Sequence, residues 1–448
     1  MRKTLTFLVV AIAAIAPGQS PTITTWITGS GAKPALAVID FRGAGSQPYM
    51  DRFNATLFGD LNGSSVFDMR PKGMYPLGNP QRPEDLRPED NNQGFALPDW
   101  AGAPVNASHL VFGYTAAQNG VLVLSGWVYD TRQANAQSAQ LLAQRYVGTL
   151  DEAGAIKVAH EFANDIIQKF GGAGSLLGSR IYFISDRGAG TNNWEIWSVN
   201  WDGTDQKPLT RLRSLSIQPA ISPDGEKLAF TTYAKGRPRI MMISPETGRE
   251  LPFLNQEASM NATPSWTPDA QRIFYASTAS GTSQIYSAGY DGRGFTRISR
   301  REAIEVEPKV NPKNPDVLLF VAGPGNQQIY RMSALGTQVQ RITNGEGEAS
   351  NPSWHPDGQH FAFSWTRGYT KGDFNIFLAD AGNPLDFVQL THSEGRNENP
   401  SWAPDGRHLV FASNRTGVSQ IYTMLADGSQ VKQLTTQGKN RSPVWGVK

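Results

Sequence analysis

The chain has 448 residues, with 41 basic and 39 acidic side chains for a formal net charge of +2, and it contains no cysteine. Nothing in so even a balance asks for nucleic acid or an acidic membrane surface, both of which favour basic stripes. The missing cysteines exclude disulfides, thiol nucleophiles, thiolate metal sites and a lipidated-cysteine anchor, while the length suffices for two or three domains with real cores.

Residues 1–19 read as an export signal. Arg2 and Lys3 precede an apolar run, Leu5–Ala16, and Ala14-Ile15-Ala16 meets the small-x-small rule for cleavage. The run falls short of the ~20 apolar residues that span a bilayer as a helix, so a soluble exported protein without a membrane span is expected. Residues 20–33 form a short Thr- and Gly-rich stretch, read as a flexible arm, with Ile23, Trp26 and Ile27 as isolated apolar residues.

Residues 34–172 alternate strand and helix signals and predict a small α/β domain. Leu36–Phe41 is a buried-strand run, and Phe53, Leu57 and Phe58 give Tyr49–Gly59 helical spacing. His109–Tyr114 and Val121–Asp130 read as strands with Leu141–Val147 as hairpin partner. Ile156, Ala159, Ala163, Ile166, Ile167 and Phe170 make the apolar stripe of a helix stopped by Gly171-Gly172. The stretch 70–104 holds seven prolines between Pro71 and Pro104 and fits no regular element. It reads as a surface loop, with a partner-docking loop as the sharper alternative.

Residues 173–448 open on a Gly/Ser-rich connector and continue as a repeat. Its leading prolines, Pro219, Pro264, Pro308, Pro352, Pro400 and Pro443, are spaced 43 to 48 residues apart, the spacing of four-stranded propeller blades. The recurring pattern is Pro-Ser-Trp-x-Pro-Asp-Gly, an apolar strand, Ile-Tyr and Leu-Thr, with Ile221 and Val310 in the Trp place of two copies. Ser179–Thr210 has everything but the leading strand, and Asn440–Gly446 is that strand with nothing after it. The two fragments make one unit, so an all-β six-bladed propeller closed by the C-terminal strand is expected. Asn311–Asp316 departs most from the turn motif and makes the fourth blade the least regular. Proline suits a first strand whose channel edge has no ladder partner, and Trp266, Trp354, Trp402 and Trp445 should fill space between blades.

In a four-stranded meander, the first and third turns share one side and the remaining loops the other. The Asp-Gly turns at Asp202, Asp224, Asp291 and Asp427 are short and repetitive, whereas Ser185–Asn193, Asn255–Thr263, Thr366–Asp373 and Thr391–Asn399 are longer and varied. Binding should therefore use the varied face. There Met260, Asn261, Thr263, Glu305, Glu307, Asn351, Asn397, Glu398, Asn399 and Arg441 gather near the channel mouth just before the prolines. They are candidate partner-binding residues, or polar caps over a watery channel. Glu305, Glu307 or Glu398 could offer oxygens to a hard cation. His355, His360 and His408 flank blade turns and read as variable turn residues. No nucleophile elbow, phosphate-binding loop or dinucleotide fingerprint is present, so no catalytic residues and no cofactor are assigned.

An export signal, an α/β domain opening on Pro34-Ala-Leu-Ala-Val-Ile-Asp-Phe41, and a closed array of Pro-x-Trp-x-Pro-Asp-Gly repeats together resemble the TolB family. Asp99-Trp100 ahead of Leu110-Val-Phe-Gly113, and His160–Gly172 leading into Arg180-Ile-Tyr-Phe183, share that resemblance. It implies a non-enzymatic periplasmic scaffold of the Tol–Pal system, a monomer within its complex, that supports outer-membrane integrity and constriction at division. It implies that the propeller mouth binds a Pal-like peptidoglycan-associated lipoprotein, with the loops holding Met260, Asn261 and Thr263 and Glu305 and Glu307 on that face. It implies a TolA-like inner-membrane partner for the N-terminal arm, where Ile23, Trp26 and Ile27 lie. The alternative reading is an exported propeller enzyme or glycan-binding module with its pocket in the channel.

Overall fold

The computed structural model describes residue 23 and residues 33–43, 47–87, 94–171, 176–187, 193–323, 326–383 and 385–447. The expected signal, Trp26 and Ile27 lie outside the described residues.

The first domain is a twisted sheet with two different covers. Strand β1 (Ala35–Val38) pairs in parallel with β2 (His109–Gln118), which continues antiparallel to β3 (Val121–Asp130) and β4 (Gln140–Thr149). Helices α1 (Gln47–Gly63) and α2 (Glu152–Lys169) lie on one face. Met50, Phe53, Leu57 and Leu61 of α1 recur at helical spacing and meet Val158, Phe162 and Ile166 of α2 in one core. Asp151 caps α2 by accepting the Gly154 N–H at 2.8 Å. Gly126 is required where α2 crosses β3, because a Cβ there would sit 2.5 Å from the Phe162 ring.

The opposite face corrects the surface-loop expectation for residues 70–104. Ala37, Leu110, Phe112 and Tyr129 project from the sheet and are covered by Leu86, Leu97, Trp100 and Val105. Trp100 is 0% exposed, and the Tyr75 hydroxyl accepts the Val38 N–H while donating to the Arg70 carbonyl. The described parts of the stretch are largely irregular, as its prolines require, yet they serve as a wall of the core. Strand β2 is consequently apolar on both faces rather than alternating.

The second domain is a ring of six four-stranded antiparallel blades. Blade 1 takes its first strand, Asn440–Gly446, from the chain end and the rest from Arg180–Pro208, with Asn440 opposite Ser185 and Gly446 opposite Arg180. Blades 2 to 6 span residues 216–251, 261–297, 305–341, 349–389 and 397–433. Blade 4 is a complete four-stranded sheet despite its irregular turn sequence.

The repeat motif resolves into hydrogen bonds that tie neighbouring blades together. The Ser hydroxyl of Pro-Ser-Trp accepts a backbone N–H from the following blade, Ser401 from Trp445 at 3.0 Å and Ser353 from Trp402 at 3.4 Å. The Trp indole reaches back, Trp266 to the Ala220 carbonyl and Trp354 to the Lys309 carbonyl, both at 2.9 Å. The Thr or Ser of the Leu-Thr position accepts the N–H of the Ile beginning Ile-Tyr. Ile196, Ile285, Ile329, Ile376 and Ile421 donate in this way at 2.8–2.9 Å. The Thr or Ser thus satisfies an N–H beyond the short outer strand, while the Ser and Trp satisfy backbone groups of a neighbouring blade's first strand.

The two domains meet on the side of the short turns. The His408 ring bonds Asp405 through Nδ1 at 2.7 Å and the Gly63 carbonyl at the end of α1 through Nε2 at 2.8 Å. His355 similarly joins Gly406 of the next blade, and His360 bonds Asp357. His408 and His355 thus fasten their turns to other parts of the chain, which corrects their reading as variable turn residues, whereas His360 bonds within its own turn. Turn sequence alone could not reveal that the partner carbonyls come from elsewhere in the chain.

At the same seam His160 of α2 contacts Asp60 of α1 at 2.5 Å and lies edge-on to Trp201 of blade 1 at 5.6 Å. Burial disfavours a charged His160, but the Asp60 carboxylate outweighs it and the imidazole is held above its ordinary value; burial likewise raises Asp60. A raised histidine value stabilises the fold below its unfolded value and ceases to do so as pH rises through the folded one, and the raised Asp60 acts with the same sign. The melting temperature lost in H160Q should therefore be greatest below about pH 6.5, the ordinary histidine value, and shrink on alkalinisation. A pH-independent difference would contradict this reading of the seam.

Candidate functional site

The first strand of every blade carries a register shift just before its proline. The residue preceding that proline is left-handed in all six, with φ of 54° at Gln218 and Thr263, 53° at Glu307, Asn351 and Asn399, and 48° at Ser442. Proline disfavours the right-handed helical region for its predecessor, and the bulge supplies the alternative. Because the conformation recurs in every blade, it belongs to the ring's construction. These six residues line a central channel of about 320 Å³, together with Lys309 and the ring prolines.

One arc of this ring is tied side chain to backbone. The Glu307 N–H donates to the Thr263 hydroxyl at 3.2 Å, and the Glu307 carboxylate accepts the Asn351 N–H at 2.8 Å and its side-chain amide at 3.2 Å. Burial pushes the Glu307 carboxyl up and the Lys309 ammonium down from their ordinary values, each opposed by the charge of the other. Carboxylate oxygens do not converge here as a cation site needs. Glu398 is engaged by Arg396 at 2.7 Å, and Glu305 lies away from the channel lining. No group of three potential metal-ligating His, Asp or Glu residues occurs among the described residues.

The ten candidate residues separate by depth. Asn261, Glu305 and Asn397 are fully or nearly buried at the loop bases. Asn261 donates to the Gln256 carbonyl and Asn397 to the Gly395 carbonyl, while Glu305 has Arg301 3.7 Å away and a carboxyl raised by burial. These three brace the loops. Thr263 is nearly buried in the ring. Met260, Glu307, Asn351, Glu398 and Asn399 are half-buried around the mouth, and Arg441 is exposed over the Trp194 ring at 5.4 Å. Sequence reasoning passed over Gln218 and Ser442, which share the register of Thr263 and Glu307 and were identifiable from it. It also missed Ile304, 52% exposed on the loop entering blade 4, for which no repeat signal exists.

Of the arm, Ile23 and Lys33 are the described residues. Ile23 is 1% exposed among Leu378, Leu390, Leu409 and Met424 of blades 5 and 6, and its N–H donates to Asp386 at 2.9 Å. At this position the expected flexible arm is seated on the propeller.

A first domain fixed to the short-turn side, whose described residues do not cover the varied-loop side and channel mouth, defines a class: a six-bladed propeller that presents one face. The chain belongs to the TolB β-propeller family, whose domain model matches residues 167–368 and 342–448. The Protein TolB homologs of Chlorobium luteolum and Chlorobium chlorochromatii are 32% and 31% identical over 239 and 259 residues, or 53% and 58% of this chain. These matches take in 51% and 46% of the relatives, so the chain spans about half the length of the curated proteins it matches. TolB from Acinetobacter baumannii shares the fold at a TM-score of 0.74 and 20% identity, over 93% of this chain and 98% of that one.

Proposed function

We propose that this protein is a non-enzymatic periplasmic scaffold of the Tol–Pal system, with the varied-loop face of its propeller binding a Pal-like lipoprotein. The observation that carries this reading is the placement of the α/β domain. Its described residues meet the short-turn side at blades 6 and 1, through His408 and Trp201, and do not cover the opposite mouth. A mouth with half-buried Met260, exposed Ile304 and charged Glu398 and Arg441 offers the apolar centre and polar rim of a protein interface. An interface of roughly 1,200–2,000 Å² is the ordinary size for such docking. The names of the Chlorobium relatives and the export signal read at the N-terminus support the assignment.

A TolA-like partner for the N-terminal arm is the second part of the proposal. Ile23 would have to leave its seat between blades 5 and 6 to serve as a contact. For an enzyme in the channel, the carboxylate among the described lining residues is Glu307, which Asn351 already holds.

The test is binding of the purified periplasmic domain of a Pal-like lipoprotein to M260D/R441E. Loss of at least about 2 kcal/mol, some thirtyfold, is expected if these residues sit at the interface centre. R249E, on the opposite side, should bind as wild type. Equal binding by all three proteins would remove the mouth from consideration.

A further inference from the structure

The varied-loop face is charged unevenly. In three sectors a cation has an acidic partner: Arg301 with Glu305 at 3.7 Å, Lys371 with Glu348 at 3.5 Å, and Arg396 with Glu398 at 2.7 Å. The sector between blades 1 and 2 differs. Arg211 and Arg213 lie on the connector between those blades, and Lys235 and Arg237 on the second loop of blade 2. All four are exposed, and none forms an ion pair among the described residues.

Backbone bonds bring these segments side by side. The Tyr233 N–H donates to the Leu215 carbonyl at 2.9 Å, joining the second loop to the connector. Trp194 bridges to Leu215 from blade 1, and Arg441 lies over that Trp194 ring. The patch therefore runs into the channel mouth. The carboxylate of Glu195, in this network, is buried and occupied, accepting the Arg213 N–H at 2.6 Å and the Thr210 hydroxyl at 2.5 Å. It pins the connector through the main chain and leaves the guanidinium of Arg213 exposed. Tyr233, 37% exposed, adds an aromatic surface beside the cations.

We infer that the sector formed by Arg211, Arg213, Tyr233, Lys235 and Arg237 is a docking surface for a carboxylate-rich segment of a protein partner. This rests on the reading of the mouth as a protein-binding face, and adds the chemistry that the partner must present on one side of it. Arginine forks match carboxylates in bidentate geometry. Four like charges without internal compensation repel one another until an anionic surface covers them, so the sector selects an acidic partner and speeds its encounter. A protein is favoured over a lipid or nucleic acid surface by the patch's continuity with the mouth.

The experiment uses the mature full chain and a fluorescein-labelled decaglutamate peptide, read by fluorescence anisotropy. This probe needs no lipoprotein, so its outcome is separate from that of the mouth test. Wild type should bind at low salt and weaken as salt is added, and R211E/R213E/K235E/R237E should bind about tenfold more weakly or worse. R249E/K313E, charge reversals on the short-turn side, should match wild type. If the quadruple variant melts early, R211Q/K235Q gives the same comparison with less perturbation and should show a smaller loss. Equal binding by wild type and the patch variants would overturn the inference, as would equal loss in R249E/K313E. Phosphatidylglycerol vesicles or a DNA oligonucleotide binding as tightly as the peptide, with the same dependence on the four cations, would overturn the commitment to a protein carboxylate surface.

Discussion

Deleting residues 442–448 will unfold the propeller or lower its melting temperature far more than the loss of seven terminal residues normally does. The deleted segment is most of the first strand of blade 1. Its Val444, Trp445 and Gly446 pair with Tyr182, Ile181 and Arg180, and its Trp445 packs among Phe183, Val199 and Val410. Trp445 also bonds Ser401 of blade 6 through its N–H at 3.0 Å and Ser179 of blade 1 through its indole at 2.9 Å. Truncation therefore exposes the inner edge of one blade and the flank of another together. The single change W445A keeps the strand and removes the contact, costing about 3–5 kcal/mol by analogy with other buried aromatics. That is a large share of the roughly 5–15 kcal/mol that stabilises a typical domain, and corresponds to a fall on the order of 10 °C. Thermal melts followed by circular dichroism decide it, and an unchanged midpoint in the truncated chain would mean that the ring does not depend on its closing strand.

The second large effect is expected in the α/β domain. W100A should destabilise it by about 3–5 kcal/mol, because Trp100 is fully buried against the sheet face that the helices leave bare. Were the segment 70–104 only a surface loop, the same substitution would cost within about 0.5 kcal/mol. Urea unfolding monitored by a probe in this domain separates the two cases. The variant should also quicken proteolysis within the segment, whereas the propeller transition should stay in place.

Much of the fold was legible because the repeat repeats. The residue-by-residue spacing of Pro219 through Pro443, and the orphan fragments at Ser179 and Asn440, required a closed ring of six. Local periodicity likewise announced α1 and α2. What escaped notice has physical reasons. The role of residues 70–104 depends on Leu86, Leu97 and Trp100 meeting a sheet face built from distant strands, and irregular backbone carries no period to read. His408 looked variable because its partner, the Gly63 carbonyl, is 345 positions away.

The candidate site was legible in position more than in depth. The register before each proline located the mouth, but could not tell that Asn261, Glu305 and Asn397 turn into the loop bases while Met260, Glu398 and Arg441 stay accessible. Ordinary strand alternation makes that difference, since Asn397 and Glu398 pair with Ser413 and Ala412 ahead of the bulge and so face opposite ways. Gln218 and Ser442 complete a ring that four of the expected residues already outlined.

The measurement that bears most directly on the central claim is hydrogen–deuterium exchange of the full chain with and without the periplasmic domain of a Pal-like lipoprotein. The account predicts slowed exchange in the loops at 256–263, 300–307 and 396–399 and at Arg441, with the short turns at Asp224, Asp291 and Asp427 unchanged. Protection confined to those turns, or no protection at the mouth at saturating partner, would contradict it.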